Sequence, residues 1–246
     1  MKMIVSFSAF LVLVFSMVVD AKVLFQDDFS SGDLDKYEFS WEDKKPKEIA
    51  KNAKIINSDS PKHGPKALSM EEQPHVGNLL AMIKDLEFED GYIEMLWIDA
   101  DLPEDADGPL FFRGDLGQKE VKDIYGNSIL VELDTDTGLH FDVLNGGGVC
   151  AECKAGLQSA PEWTWIKVMA DGKKLKLKAW LDAETEPDWM IEIENDQYKK
   201  GAVGFRSWSG TAEIAFIKIT DLEGGDQAVS TQGKLATTWG GIKNFF

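Results

Sequence analysis

The stretch Ile129 to Gly138, ILVELDTDTG, places Glu132, Asp134 and Asp136 at alternate positions. In a strand, successive side chains point to opposite faces, so Leu130, Glu132 and Asp134 share one face while Ile129, Val131 and Leu133 share the other. If the apolar set packs inward, both carboxylates project from the outer face. Arg113 ends a second short apolar run, LFFR, after Gly108 and Pro109. A guanidinium at a neighbouring strand end can pair with Glu132 and Asp134, or clamp a ligand hydroxyl or carboxylate bidentately. The same three residue types also make an ordinary cross-strand ion pair on a solvated sheet.

Aromatic residues offer a second kind of contact, stacking on an apolar ring face. Trp97, Trp163, Trp165 and Trp189 alternate with apolar neighbours and read as core. Trp180 is different, because it shares a face with Lys174, Lys176 and Lys178. Trp208 lies beside Arg206 and the Ser209-Gly210 turn. These two are the expected stacking platforms. Asp99 and Asp101, in the acidic run DADLPEDAD, offer oxygen ligands for calcium, as do Asp27 and Asp28. A solvated acidic loop accounts for the run equally simply. The chain has two cysteines, Cys150 and Cys153. Zinc would need two more ligands, and His63, His75 and His140 are scattered. A redox Cys-x-x-Cys needs a βαβ setting that is not visible. A small disulfide pinning a loop is therefore expected. The chain carries no His-Glu-x-x-His, no Gly-x-Ser-x-Gly and no phosphate-cradling glycine loop.

Strands must position these residues. Val23–Phe29, Gly91–Ile98, Leu110–Arg113, Leu139–Leu144, Trp165–Ala170 and Leu175–Leu181 alternate or form short apolar runs. Thr135 to Gly138 and Asp171-Gly172 read as hairpin turns. Val203 and Phe205 lead to the Ser209-Gly210 turn, and Ala212, Ile214 and Phe216 follow it. The apolar phase then slips by one to Ile217 and Ile219, which predicts a β-bulge near Phe216. The lysine-rich segment 42–54 reads as a loop or short helix. Many short strands with regular turns give an all-β antiparallel sandwich.

A chain of 246 residues fits one such sandwich. Lys2 followed by the apolar run Met3 to Val19 has the form of a secretory leader cut after Ala21. The run is short for a membrane span of ~20 residues, and no other segment could cross a bilayer. The expected organisation is a leader at 1–21, a sandwich at 22–225 and a tail at 226–246, in a secreted, periplasmic or cell-surface protein. The net charge of −17 repels phosphate backbones and excludes nucleic acid as a partner class.

The opening DDFSSG, the GAVGF strand and the late AFIKITDL strand resemble concanavalin A-like lectin/glucanase jelly rolls, most closely the laminin-G-like and 3-keto-disaccharide hydrolase-like branches. That resemblance implies an antiparallel jelly roll. It also implies a carbohydrate or glycoconjugate partner, with Arg113, Glu132 and Asp134 as polar contacts. The 3-keto family has a glycine-aromatic-arginine strand, a tyrosine and a carboxylate strand, matched here by Arg113, Tyr125 and Glu132. An acidic residue common two places before the position of Glu132 is Leu130 here. Glu132, Asp134 and Asp136 are also similar to the Glu-x-Asp-x-Glu of laminarinase-type glycosidases, with a shorter last carboxylate. The expected role is non-catalytic sugar recognition. The alternatives are an enzyme on 3-keto sugars using Glu132, Asp134 and Arg113, and a structural or protein-binding module.

Overall fold

Alternation decides which side of each strand meets the core, and the computed structural model shows the outcome for residues 22–41, 44, 46–60, 63–71, 77–100, 109–134, 137–145 and 162–224. The strands are β1 Val23–Asp27, β2 Tyr37–Trp41, β3 Ala53–Asn57, β4 Lys66–Glu71, β5 Leu79–Ile83, β6 Gly91–Asp99 and β7 Leu110–Gly114. There follow β8 Ile129–Asp134, β9 Gly138–Val143, β10 Thr164–Asp171, β11 Lys174–Leu181, β12 Ile191–Glu194, β13 Ala202–Ser207 and β14 Thr211–Thr220. Two short helices, α1 Pro46–Asn52 and α2 Val121–Tyr125, interrupt them. The expected leader and tail, Cys150, Cys153, Asp101 and Asp136 lie outside the described residues. Among those residues no helix is long and apolar enough to cross a membrane.

The strands form two antiparallel sheets. One runs β12-β11-β10-β6-β14-β4-β3, with β1 also on β14; the other runs β2-β5-β13-β7-β8-β9. Between them lies one apolar core that takes Ile129, Val131 and Leu133 from β8 and Leu139 and Phe141 from β9. It also takes Val203 and Phe205 from β13 and Ile214, Ile217 and Ile219 from β14. The expected bulge is present as a register shift between Ile214 and Phe216. It turns Ala215 and Phe216 to the outer face, where they join a separate aromatic cluster.

The Ser209-Gly210 turn does not close a hairpin. It carries the chain from one sheet to the other, since β13 pairs β5 and β7 whereas β14 pairs β4, β6 and β1. Strands β2 to β5 had weaker sequence signals. β5, LLAMI, is buried along its length and so shows no alternation. Its outer side is covered because Leu80 and Met82 pack with Val121 and Ile124 of α2. The lysine-rich segment resolves into α1, whose Ile49 reaches the core.

Candidate functional site

The β8–β9 hairpin sets the site. Its register pairs Glu132 with His140, Leu130 with Asp142 and Asp134 with Gly138. Leu139, Phe141 and Val143 face the opposite way from His140 and Asp142, by the same period of two. On β13 the alternation that sends Phe205 inward sends Arg206 outward. Three strands thereby bring one guanidinium, one imidazole and two carboxylates together.

The contacts are short. Arg206 Nη1 donates to Glu132 Oε1 at 2.6 Å, and Arg206 Nε donates to Asn78 Oδ1 at 2.7 Å. His140 Nε2 lies 2.8 Å from Glu132 Oε2, and its Nδ1 lies 2.9 Å from the Gly138 carbonyl oxygen. With an acceptor facing each ring nitrogen, the doubly protonated imidazolium satisfies both contacts. Thr137 Oγ1 donates to Asp134 Oδ2 at 2.7 Å and ties Asp134 to the edge of the group. The Trp208 ring lies 5.6 Å from the Arg206 guanidinium carbon. Arg206, Glu132 and His140 are buried, while Asp142, Asp134 and Trp208 are half-buried. The group therefore opens to solvent on the Trp208 and Asp142 side.

Burial alone would raise the Glu132 carboxyl, but the His140 hydrogen bond and the Arg206 and His140 charges outweigh it and hold its pKa below the ordinary value. Burial pushes His140 down, yet the Glu132 hydrogen bond, the Gly138 carbonyl and the Glu132 and Asp142 charges lift its pKa to about 9. Asp142 moves the other way. Burial, the Glu132 charge and a hydrogen bond to Glu132 raise it against the opposing pull of His140 and Arg206. The site thus holds an ionised Glu132 beside a carboxyl that retains its proton more readily.

Among the described residues, Glu132, His140 and Asp142 are the group whose ligand atoms approach closely enough for a metal, within 4.8 Å of one another. Two carboxylates and one imidazole are a zinc-class donor set, poor in the six to eight oxygens that calcium takes. Arg206 and the imidazolium proton already supply the positive charge there, so the arrangement reads as an ion-pair network. Of the acidic residues expected to hold calcium, Asp27 and Asp28 are engaged in hydrogen bonds and an ion pair. Asp27 accepts from Phe29 N at 2.9 Å, Tyr37 Oη at 3.0 Å and Lys36 Nζ at 3.0 Å. Asp28 accepts from Ser30 N and Oγ in a local turn. Asp99 is fully buried at the end of β6.

Arg113 is not beside Glu132. Its side chain is fully buried, with Nε and Nη2 donating to the Glu89 carbonyl at 2.9 and 2.6 Å. Its Nη1 donates to the Gly172 and Tyr198 carbonyls at 2.9 and 3.2 Å, and its Nη2 pairs with Asp90 at 3.0 Å. The guanidinium that meets Glu132 is that of Arg206. Trp180 does share the outer face with its lysines, but it is 4% exposed and stacks on Trp165 at 6.0 Å. Its ring is spent on that cluster. Trp208 lies beside Arg206, and Asp134 lies on the outer face of β8 with Glu132; both are half-buried. Arg206, His140, Asp142 and Asn78 were missed. The hairpin register could have given His140 and Asp142, since a turn before Gly138 sets 132 opposite 140.

No protein-family model matches the chain, and comparison with curated sequences finds no match. Comparison of structures does. Lectin II from Ulex europaeus aligns at TM-score 0.57 and 12% identity, over 80% of this chain and 97% of the lectin. A galectin-like protein of unknown function from Bacillus subtilis gives 0.53 and 12%, over 82% and 97%. The chain is a concanavalin A-like jelly roll. A GlcNAcα1-4Gal-releasing endo-β-galactosidase from Clostridium perfringens has a similar jelly roll at TM-score 0.53 and 12% identity, over 81% of this chain and 62% of the enzyme.

Proposed function

We propose that this jelly roll is an exported carbohydrate-binding module whose site is the outer face of β8, β9 and β13 at Trp208. The observation that carries the reading is the pairing of a half-buried Trp208 ring with an Arg206 guanidinium already fixed by Glu132 and Asn78. A sugar needs an apolar surface for its C–H face and polar groups in fixed directions for its hydroxyls. Trp208 offers the first; Arg206, Asp142 and Asp134 offer the second. Fixed groups bind more tightly because less side-chain freedom is lost on binding. The lectin-type fold of the neighbours supports the ligand class, and the Lys2 to Ala21 leader supports export.

A glycan array probed with residues 22–246 tests the reading. Selective binding to one saccharide class is expected, with Trp208→Ala weakening it by about tenfold or more, equivalent to about 1.4 kcal/mol of stacking. Binding that is unchanged in Trp208→Ala and in Arg206→Gln would place the ligand elsewhere. The opposed pKa shifts of Glu132 and Asp142 favour a second reading, an acid/base pair acting on a 3-keto sugar. An ionised Glu132 would take the proton at C2, the C–H electron pair would form the C1–C2 double bond as the C1–O bond breaks, and Asp142 would give its proton to the departing oxygen. Turnover of a 3-keto-glycoside that Glu132→Gln abolishes would select this reading over simple binding.

A further inference from the structure

The sandwich is open along one side. Among the described residues, β2 ends the six-stranded sheet and β3 ends the eight-stranded sheet. Between these two edges lies a cavity of about 420 Å³. Tyr37 and Phe39 of β2, Ala53 of β3, Ile49 of α1 and Leu34 line it, so residues of the core form its floor. The exposed Asp35, Glu38 and Lys84 complete the lining, with Lys84 Nζ donating to the Asp35 carbonyl at 2.9 Å. The edge of β2 also presents backbone. The Lys84 N–H donates to the Lys36 carbonyl at 2.9 Å. Antiparallel ladders alternate, so Glu38 and Ser40 turn their backbone groups to β5 and Phe39 turns its own outward. An apolar slot beside such an edge suits an added strand, which buries the floor and extends the ladder.

The described residues end at Gly224, and residues 225–246 follow. Within them Leu235, Thr237 and Trp239 alternate with Lys234, Ala236 and Thr238. From residue 227 onward the sequence holds Lys234 and Lys243 and no acidic residue, in a chain of net charge −17. We infer that residues 234–239 add to β2 of their own molecule as an edge strand, with Leu235 and Trp239 in the cavity and Lys234 beside Glu38. In a sheet, side chains of adjacent strands keep to the same two faces. Leu235 and Trp239 then lie level with Tyr37 and Phe39 over the apolar floor, and Lys234 lies level with the outward carboxylate of Glu38. The reach is sufficient. Lys22 N donates to Asp221 Oδ1 at 3.2 Å, so the chain leaves its last strand beside the start of β1. The other end of β1, Asp27, accepts from the Tyr37 hydroxyl at 3.0 Å. Val23 to Asp27 span ~17 Å, and residues 225–233 extend to about 30 Å. The slot shares no residue with the Trp208 face and does not rest on the carbohydrate reading.

The test is amide hydrogen exchange of the chain 22–246, with a synthetic peptide of residues 227–246 as the unbound reference. Amides 235–239 are expected to exchange at least about tenfold more slowly in the chain than in the peptide. Glu38→Lys alters an exposed side chain, so circular dichroism should show an unchanged fold. Protection of 235–239 and of Phe39 should nevertheless fall together in that variant. Lys234→Glu should lower both in the same way, and the double variant Glu38→Lys with Lys234→Glu should restore them. Trp239→Ala should lower them too, by emptying the slot. Exchange of 235–239 at the peptide's rate would overturn the proposal. So would protection that ignores Glu38→Lys and Lys234→Glu, because the segment would then dock elsewhere. Protection lost on dilution, as light scattering shows a dimer giving way to a monomer, would also overturn it. The occupant would then be the same segment of a second copy.

Discussion

Glu132 and His140 define each other's charge. Each offers the other a short contact in a place sheltered from water, so neither state of His140 is indifferent to pH. The sign follows from the direction of the shift. An imidazolium whose folded pKa is about 9, against 6.5 in the open chain, contributes stability fully below about pH 6.5 and loses it as pH rises through about 9. Glu132, with a lowered pKa, contributes above its ordinary 4.5 and loses that contribution as acid titrates it at a still lower pH. The groups facing His140 are Glu132, Asp142 and, beyond Glu132, Arg206. Denaturant unfolding between pH 7 and 10 should therefore show a loss of about 1–3 kcal/mol. The loss should disappear in His140→Gln. A parent chain with a flat profile would contradict the imidazolium assignment. Asp142 has the opposite sense, since its raised pKa means that its charge opposes the fold at neutral pH. Asp142→Asn should leave the melting temperature at pH 8 equal or higher, because an amide can donate to Glu132 without adding a second negative charge.

Strands were legible in proportion to how one-sided their surroundings are. β8 and β9 have a core on one face and the polar group on the other, so alternation exposed both their existence and the turn between them. β5 and β4 are enclosed on both sides and give no period. The face assignment of Glu132 and Asp134 was readable from Ile129, Val131 and Leu133, but the partner of Glu132 was not. Alternation says which way Arg113 and Arg206 point within their own strands and nothing about which strand comes next in the sheet. β13 lies beside β7 only because the chain changes sheets, and no residue pattern records that. Gly204 marks the same strand junction. A Cβ there would lie 2.4 Å from Phe111 Cζ and 2.5 Å from the Ala81 carbonyl oxygen. Gly204→Ala should cost about 1–3 kcal/mol as overpacking. Since Gly204 is two residues from Arg206 on the same face, the change should also weaken glycan binding, whereas a distant surface substitution should not.

Arg113 belongs to the joining of the two sheets. It rises from β7 of the six-stranded sheet, and two of its three carbonyl acceptors, Glu89 and Gly172, flank strands of the eight-stranded sheet. Removing the guanidinium would break its hydrogen bonds to the Glu89, Gly172 and Tyr198 carbonyls and its pair with Asp90. Arg113→Met should therefore lower unfolding free energy by about 3 kcal/mol or more while leaving glycan binding intact in the folded fraction. A loss of binding without a loss of stability would return Arg113 to the ligand site.

β14 gives the architecture a direction in time. It pairs with β6 along one edge and with both β4 and β1 along the other, yet it follows all three in the chain. A nascent polypeptide that stops before residue 211 has two half-sheets with bare edges facing each other and Val23 to Asp27 without a partner. Such edges are templates for pairing with other chains, and contacts spanning almost 200 residues close slowly. The eight-stranded sheet can form only once synthesis has passed residue 220. Until then the edges of β6, β4 and β1 stay unpaired, and the chain depends on whatever shields them on the way.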